Sequence, residues 1–490
     1  MAVPLTDATV SGLNRSVAVP SYDRSTLTPG IVHIGVGGFH RAHQAMYLDR
    51  LLEQGRARDW AIRGLGVLPS DARMRDALTA QNGLYTLVVK HPDGTTEPRI
   101  IGSVVDCQLA SDDQQAAVEL LANPATRIVS LTITEGGYHV NPVTGEFDPS
   151  DPRIAADLGQ NALPVTAFGY LTEALRRRRD RGISPFTVLS CDNIAHNGDV
   201  AARMLVAFAT ARDAALGAWI RANVPFPNSM VDRITPATTD ADRESLASGF
   251  GVEDRWPVVC EPFTQWVIED RFACGRPPWE EVGAQIVADV TPYELMKLRL
   301  LNASHQALCY FGYLAGYRLV HDVCSDELFS SFLLAYMGRE ARPTLPPVPG
   351  VDLDAYQTTL IERFSNIHIR DTVARLCAES SDRIPQWLLP VVRTNLERGG
   401  EIRLSAAIVA SWARYAEAVD EQGQPIEVVD RLAPRLRTAA RADGLTFLRD
   451  RELFGDLADD DRFSTEYLRA RESLNRHGAR ATLRGLMSTG

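Results

Sequence analysis

At 490 residues the chain exceeds one ordinary hydrophobic core and implies two or three domains, while 45% hydrophobic and 23% charged residues exclude disordered and collagen-like classes. Its 62 acidic against 51 basic side chains give a net charge of −11, which argues against nucleic acid or an anionic membrane as the main partner. The 7 cysteines are scattered, odd in number and without CxxC spacing, so they signal neither a disulfide frame nor a cysteine-rich zinc site. MAVPLTDATV lacks the charged and apolar regions of a signal peptide, and no apolar stretch approaches the ~20 residues of a membrane span. Reduced thiols and a cytoplasmic location are expected.

In chain order, the first element is strand, glycine turn and amphipathic helix in IVHIGVGGFHRAHQAMYLDRLLEQG. Gly35 and Gly37 can take positive φ and let backbone approach a pyrophosphate, so Gly35, Gly37, Gly38, Phe39 and His40 are candidate contacts to a dinucleotide. The usual third glycine is replaced by His40. His40 and His43 lack a third ligand nearby, and capping or cofactor contact is the expected role, with no metal site. The second strand, WAIRGLGV, leads to Asp71, which can meet the adenosine ribose and favour NAD over NADP by repelling a 2′-phosphate. The neutral Ser70 weakens that exclusion, so NADP is not excluded, and Asp71 can equally serve a helix N-terminus.

Next, LYTLVVKHPDGTTEPRIIGSVVDCQ reads as a hairpin around Asp93 and Gly94 appended to the sheet. RIVSLTIT and FTVLSCDN supply two further strands, the latter ending in Asn193 at the carboxyl edge where ligands of α/β domains bind. The basic run Arg176 to Arg179 follows YLTEAL and reads as a solvated helix end. After about residue 285 the pattern becomes helical, broken by PTLPPVPG at 343–350. The expected fold class is therefore α/β, with a Rossmann-type dinucleotide-binding domain over 1–285 followed by a mostly α-helical catalytic domain over 286–490. The main helical candidates are KLRLLNASHQALCYFGYLAGY, QTTLIERFSNIHIRDTVARLC, LSAAIVASWARYAEAVD and STEYLRARESLNRH.

Thr291-Pro292-Tyr293-Glu294 has the pattern of a capping box with proline at the first helical position. In the helix that follows, straight α geometry places Asn302 about 140° and His305 about 80° around from Lys297, so the three share one side among leucines. A lysine buried there has its ammonium form disfavoured, as a general base requires, and asparagine amides can stabilise an alkoxide.

With these residues in view, the sequence resembles the mannitol dehydrogenase family of long-chain, zinc-independent polyol dehydrogenases. The resemblance rests on GVGGFHRAHQA at 35–45, SLTITEGGY at 130–138, SCDNIAHNG at 190–198, MVDRITP at 230–236, KLRLLNASHQAL at 297–308 and IRDTVARLC at 369–377. It implies that Lys297 is the general base or acid, that Asn193 and Asn302 hold the reacting oxygen, and that His305 bonds substrate and positions the lysine. It also implies that Asp232 and Arg375 lie near polyol hydroxyls and that Glu135 takes part in proton passage. The expected reaction is NAD-dependent interconversion of a sugar alcohol, D-mannitol or an analogue such as D-arabinitol, and its ketose, D-fructose for mannitol. Alternatives are a hexuronate reductase of the fructuronate/mannonate type, with Arg375 on the carboxylate, and a non-catalytic nucleotide-binding sensor. The resemblance is compatible with a monomer, and no heptad seam argues otherwise.

Overall fold

The computed structural model describes residues 2–141, 144–159 and 163–488. It divides into two compact units, Met1–Thr291 and Pro292–Gly490. The first unit runs past residue 285 because Gln285–Val287 is a strand paired in parallel with Gln265–Glu269, so the backbone hydrogen bonds of that segment belong to the first unit.

The central sheet of the first unit has five strands: β1 (Pro29–Ile34), β2 (Ala61–Gly66), β3 (Val104–Leu109), β4 (Ile128–Leu131) and β5 (Thr187–Ser190). Their order is β3-β2-β1-β4-β5, and all neighbours are parallel. This is the order of a dinucleotide-binding sheet, with its switch point between β1 and β4. Alternation along the strands feeds two cores. Ile31, Ile62 and Ile128 pack with Ala45, Leu48 and Leu52 on one face, while Val32, Val129 and Val188 pack with Leu121, Leu171 and Leu205 on the other.

Two expectations change here. The hairpin forms as expected, Tyr85–Lys90 against Thr96–Ile101 with Gly94 at φ 89°. It is not appended to the main sheet, however: it forms a separate three-stranded sheet with Val258–Cys260, and only the VVDCQ segment returns as β3. The basic run does end a helix, Ala167–Asp180, but that end is only partly solvated. Arg178 is 1% exposed and donates to the carbonyls of Asn123, Thr126 and Ser184, while Arg176 and Arg177 pair with Glu173.

The second unit is helical, with Ala303–Leu314, Leu353–Phe364, Arg403–Ala416 and Asp461–Ser488 among its longer elements. The helix expected over 357–377 is interrupted after Phe364, because Thr372 caps a separate short helix, Val373–Cys377, by accepting from the N–H of Arg375 at 3.3 Å. Among the described residues no helix is long and apolar enough to cross a membrane. All seven cysteines are free thiols.

Candidate active site

In the first unit the turn after β1 lies at the switch point. Gly35 has φ 93°, and a Cβ added there would lie 2.1 Å from the carbonyl oxygen of Thr132, so only glycine fits. The turn is joined to the loop after β4 through Thr132, whose Oγ1 donates to Gly35 O at 2.7 Å, with His33 Nε2 2.9 Å from the same hydroxyl. A cavity of about 470 Å³ opens above these loops, lined by Gly35, Gly37, Asp71, Thr132, Thr134 and Gly136 among others.

Gly37 does not take the positive φ expected of it: at φ −112° it is extended and opens the short helix Gly38–Ala42. A Cβ on Gly37 would meet nothing closer than 3.8 Å, so any need for glycine there is for open space beside the backbone. His40 is also placed differently from the expectation. Its ring is 2% exposed and stacks on His33 at 3.5 Å, with neither ring nitrogen hydrogen-bonded and the side chain absent from the cavity wall. Burial, then the neighbouring cationic forms of His33 and Arg41, holds it well below the usual histidine range, so the ring is neutral. Phe39 is half-buried and stacks on His43 at 4.8 Å.

Asp71 directly precedes the helix Ala72–Ala80, but its side chain makes no capping hydrogen bond to that helix. Its Oδ2 accepts from the N–H groups of Val67 and Leu68, each at 2.9 Å, fixing the turn after β2, and it also lines the cavity. Among the described residues no group of three His, Cys, Asp or Glu side chains is arranged to hold a metal ion.

The carboxyl ends of β4 and β5 carry Glu135 and Asn193, both exposed. Between them in chemistry stands Asp192, which the sequence reading passed over. Its carboxylate is 8% exposed and accepts from Ile133 N–H at 3.1 Å, Thr134 N–H at 2.8 Å and the Tyr138 hydroxyl at 2.7 Å. Burial pushes this carboxyl up to about 6. Asp232 is buried at the end of the strand Ser229–Asp232, in register with Gln265. Asn197 ties that strand to the β5 loop by donating to Asp192 O at 3.0 Å and Ser229 O at 2.8 Å.

In the second unit, the helix begun at Thr291 does not continue as a straight α-helix. Lys297–Asn302 is a π turn, with Ala303 N–H donating to Leu298 O, after which α geometry resumes. One turn with i→i+5 bonds holds more than four residues, so the residue five on lies nearly above the first. The insertion thus brings Asn302 toward Lys297, closer than the straight-helix angle. Lys297 is 7% and Asn302 3% exposed, among Leu298, Leu300 and Leu301. Glu294, three residues before Lys297 and 6% exposed, was seen in the sequence only as a capping residue; its i,i+3 spacing from the lysine was the available signal.

His305 packs its ring on Phe364 at 4.7 Å, and its buried Nε2 has no hydrogen-bond partner. Burial first, then Arg375, Arg363, Arg383 and Lys297, holds it well below the usual range, so it is a neutral imidazole among cations. Arg375, by contrast, has an exposed side chain, and its Nε donates to Asp371 at 2.6 Å within an i,i+4 ion pair.

A parallel sheet in this order, with a glycine turn and a cavity at its switch point, defines a Rossmann-type dinucleotide-binding domain, here followed by a helical unit carrying buried Lys297 and Asn302 with half-buried His305. Comparison with known proteins agrees: the family model described as the mannitol dehydrogenase Rossmann domain matches residues 29–281, and that of the mannitol dehydrogenase C-terminal domain matches 289–475. The chain belongs to the mannitol dehydrogenase family. It is 47% identical over 96% of its length to 83% of a mannitol 2-dehydrogenase of Phaeosphaeria nodorum. It is 46% identical over 90% of its length to 88% of mannitol dehydrogenase 2 of Saccharomyces cerevisiae. Among solved structures, mannitol 2-dehydrogenase of Pseudomonas fluorescens, in a ternary complex with NAD and D-mannitol, superposes with a TM-score of 0.91 at 44% identity, covering 100% of both chains. A substrate-free D-sorbitol dehydrogenase superposes with a TM-score of 0.90 at 38% identity, over 98% of this chain and 100% of its own.

Proposed function

We propose that this NAD-dependent polyol dehydrogenase is a 2-dehydrogenase acting on D-mannitol, or a close analogue such as D-arabinitol, and yielding the 2-ketose, D-fructose from mannitol. The dehydrogenase class and cofactor rest on family membership and on the NAD and D-mannitol held by the Pseudomonas fluorescens relative. The observation that carries the finer reading is the π turn that gathers buried Lys297 and Asn302 on one side of a helix.

Oxidation of a secondary alcohol removes a proton from oxygen and a hydride from carbon. The nicotinamide, when bound, takes the hydride. Gly35, Gly37 and the Thr132–Thr134 loop would hold the dinucleotide, since a cavity wall without side chain at Gly35 admits close backbone approach. Asp71 adds a negative charge to that wall, which disfavours the 2′-phosphate of NADP.

Lys297 Nζ accepts the hydroxyl proton, and the side-chain amides of Asn193 and Asn302 donate to the oxygen as charge develops on it. His305, neutral and with Nε2 unengaged, hydrogen-bonds a substrate hydroxyl and helps to position the lysine. Glu135, exposed at the β4 edge, passes the proton to solvent, while Asp232 and Arg375 hold further hydroxyls. Because Asp371 already pairs with Arg375, that arginine is less available to a uronate carboxylate. Zinc has no part in this scheme.

NADH absorbance followed with mannitol, arabinitol, sorbitol and mannonate tests the substrate class, with mannitol or arabinitol expected to lead and EDTA to leave turnover unchanged. Lys297→Ala is expected to bind NADH normally and to lose turnover by about 10²-fold or more at neutral pH. Near-normal turnover in that variant rejects the lysine's role.

A further inference from the structure

Thr134 is a β-branched residue held at φ 58°, ψ 171°, a backbone region that such side chains rarely adopt. It directly precedes Glu135, and its loop lines the cavity through Thr132, Ile133, Thr134, Gly136 and Gly137. A strained turn persists only where its surroundings overdetermine it, and here the constraint comes from another strand. The two carboxylate oxygens of Asp192 accept separately from two successive backbone N–H groups, Oδ2 from Ile133 and Oδ1 from Thr134. Tyr138, at the far end of the same loop, donates its hydroxyl to Oδ2 and lies 2.6 Å from Ser190 Oγ, which also accepts from Asp192 N–H at 3.3 Å. The clamp is anchored from behind, where Asn197 Nδ2 binds Asp192 O. Asp192 is thus engaged by both ends of the loop bearing Glu135, while being the immediate chain neighbour of Asn193.

We propose that Asp192 is a positioning residue of the reaction: its carboxylate locks the strained Thr134 turn, so that Glu135 after β4 and Asn193 after β5 are held in fixed relation at the carboxyl edge of the sheet. The proposal rests on the roles given above to Glu135 and Asn193. An uncharged amide in place of the carboxylate can accept from only one of the two N–H groups and turns its own donors toward the other, which releases the turn.

In the full-length enzyme, Asp192→Asn is expected to lower kcat for D-mannitol at least tenfold while shifting the KM for D-mannitol less than threefold. The double variant Asp192→Asn with Thr134→Gly removes the steric cost of positive φ, and its kcat is expected to exceed that of Asp192→Asn at least threefold. A residue that merely stabilised the fold would not be rescued by glycine at that one position. Retention of more than half of kcat by Asp192→Asn, or a double variant no better than the single one, overturns the proposal.

Amide hydrogen exchange keeps this test separate from the functional reading. Ile133 and Thr134 amides are expected to exchange at least tenfold faster in Asp192→Asn than in the parent, even should the parent turn over no polyol; unchanged exchange rejects the clamp. If Asp192→Asn does not fold, Tyr138→Phe, which removes one donor, is expected to lower kcat at least threefold and to speed exchange at Thr134. The absence of both effects in Tyr138→Phe likewise overturns the proposal.

Discussion

Asp71 joins a structural contact to a place on the cavity wall, and its part in cofactor choice is open to a direct test. Its Oδ2 braces the N–H groups of Val67 and Leu68, and the same carboxylate faces the cavity. Asp71→Asn should therefore do two things: raise the KM for NAD, because the turn loosens, and raise kcat/KM with NADP, because the repulsion of a 2′-phosphate is lost. Kinetics with both cofactors check this, and a variant with unchanged NAD to NADP preference would remove Asp71 from the ribose site. His305 carries a comparable lesson. A polar ring in an apolar helix could be picked out locally, but its neutral state is set first by burial and then by Arg375, Arg363 and Arg383, which are distant in sequence and close in the fold.

Among the elements, the β1 turn and the π turn behave differently under sequence reading. The glycine turn is local chemistry, and Gly35 meets its demand through φ 93° and the backbone of Thr132 behind it. Gly35→Ala should cost more than about 2 kcal/mol of stability and abolish NADH binding, measured by denaturant melts and fluorescence titration. Wild-type stability in that variant would mean that the turn can relax. The π turn has no comparable local mark. A reading at 100° per residue still put Lys297, Asn302 and His305 on one side, yet it assumed a regular helix, and the extra residue per turn changes their spacing. The Asp192 clamp was invisible for a related reason, since its partners Ile133, Thr134 and Tyr138 belong to the loop after β4, more than fifty residues earlier in the chain.

Across the whole molecule, buried titratable groups set the response to acid. His33, pushed down to about 3 by burial, and His40 and His305, held well below their usual range, stay neutral when folded. In the unfolded chain each would gain a proton near pH 6.5, so below that pH each favours unfolding. Asp192 has the opposite sign, because a folded carboxyl raised to about 6 keeps its proton where the unfolded one has lost it. His40→Phe preserves the stack on His33 and removes one titrating group. Relative to the parent it should gain up to about 1.4 kcal/mol per pH unit below pH 6.5, read as a widening difference in Tm between pH 7 and pH 5. A difference that stays constant with pH would show that His40 takes up its proton in the fold as readily as in the unfolded chain.

The sequence by itself determined the elements and their class: alternating strands, a glycine turn and amphipathic helices depend on neighbours within a few residues, as do the family motifs that carry the polyol dehydrogenase reading. The tertiary structure decided where those elements went and what each polar group met. It moved the hairpin out of the main sheet and turned His40 inward. It buried Arg178 against carbonyls more than fifty residues away and made Asp192 the holder of a strained loop. The physical reason is common to all four. Hydrogen-bond satisfaction and burial depend on atoms brought together by folding, and a linear chain does not state which distant carbonyl, ring or amide will be there.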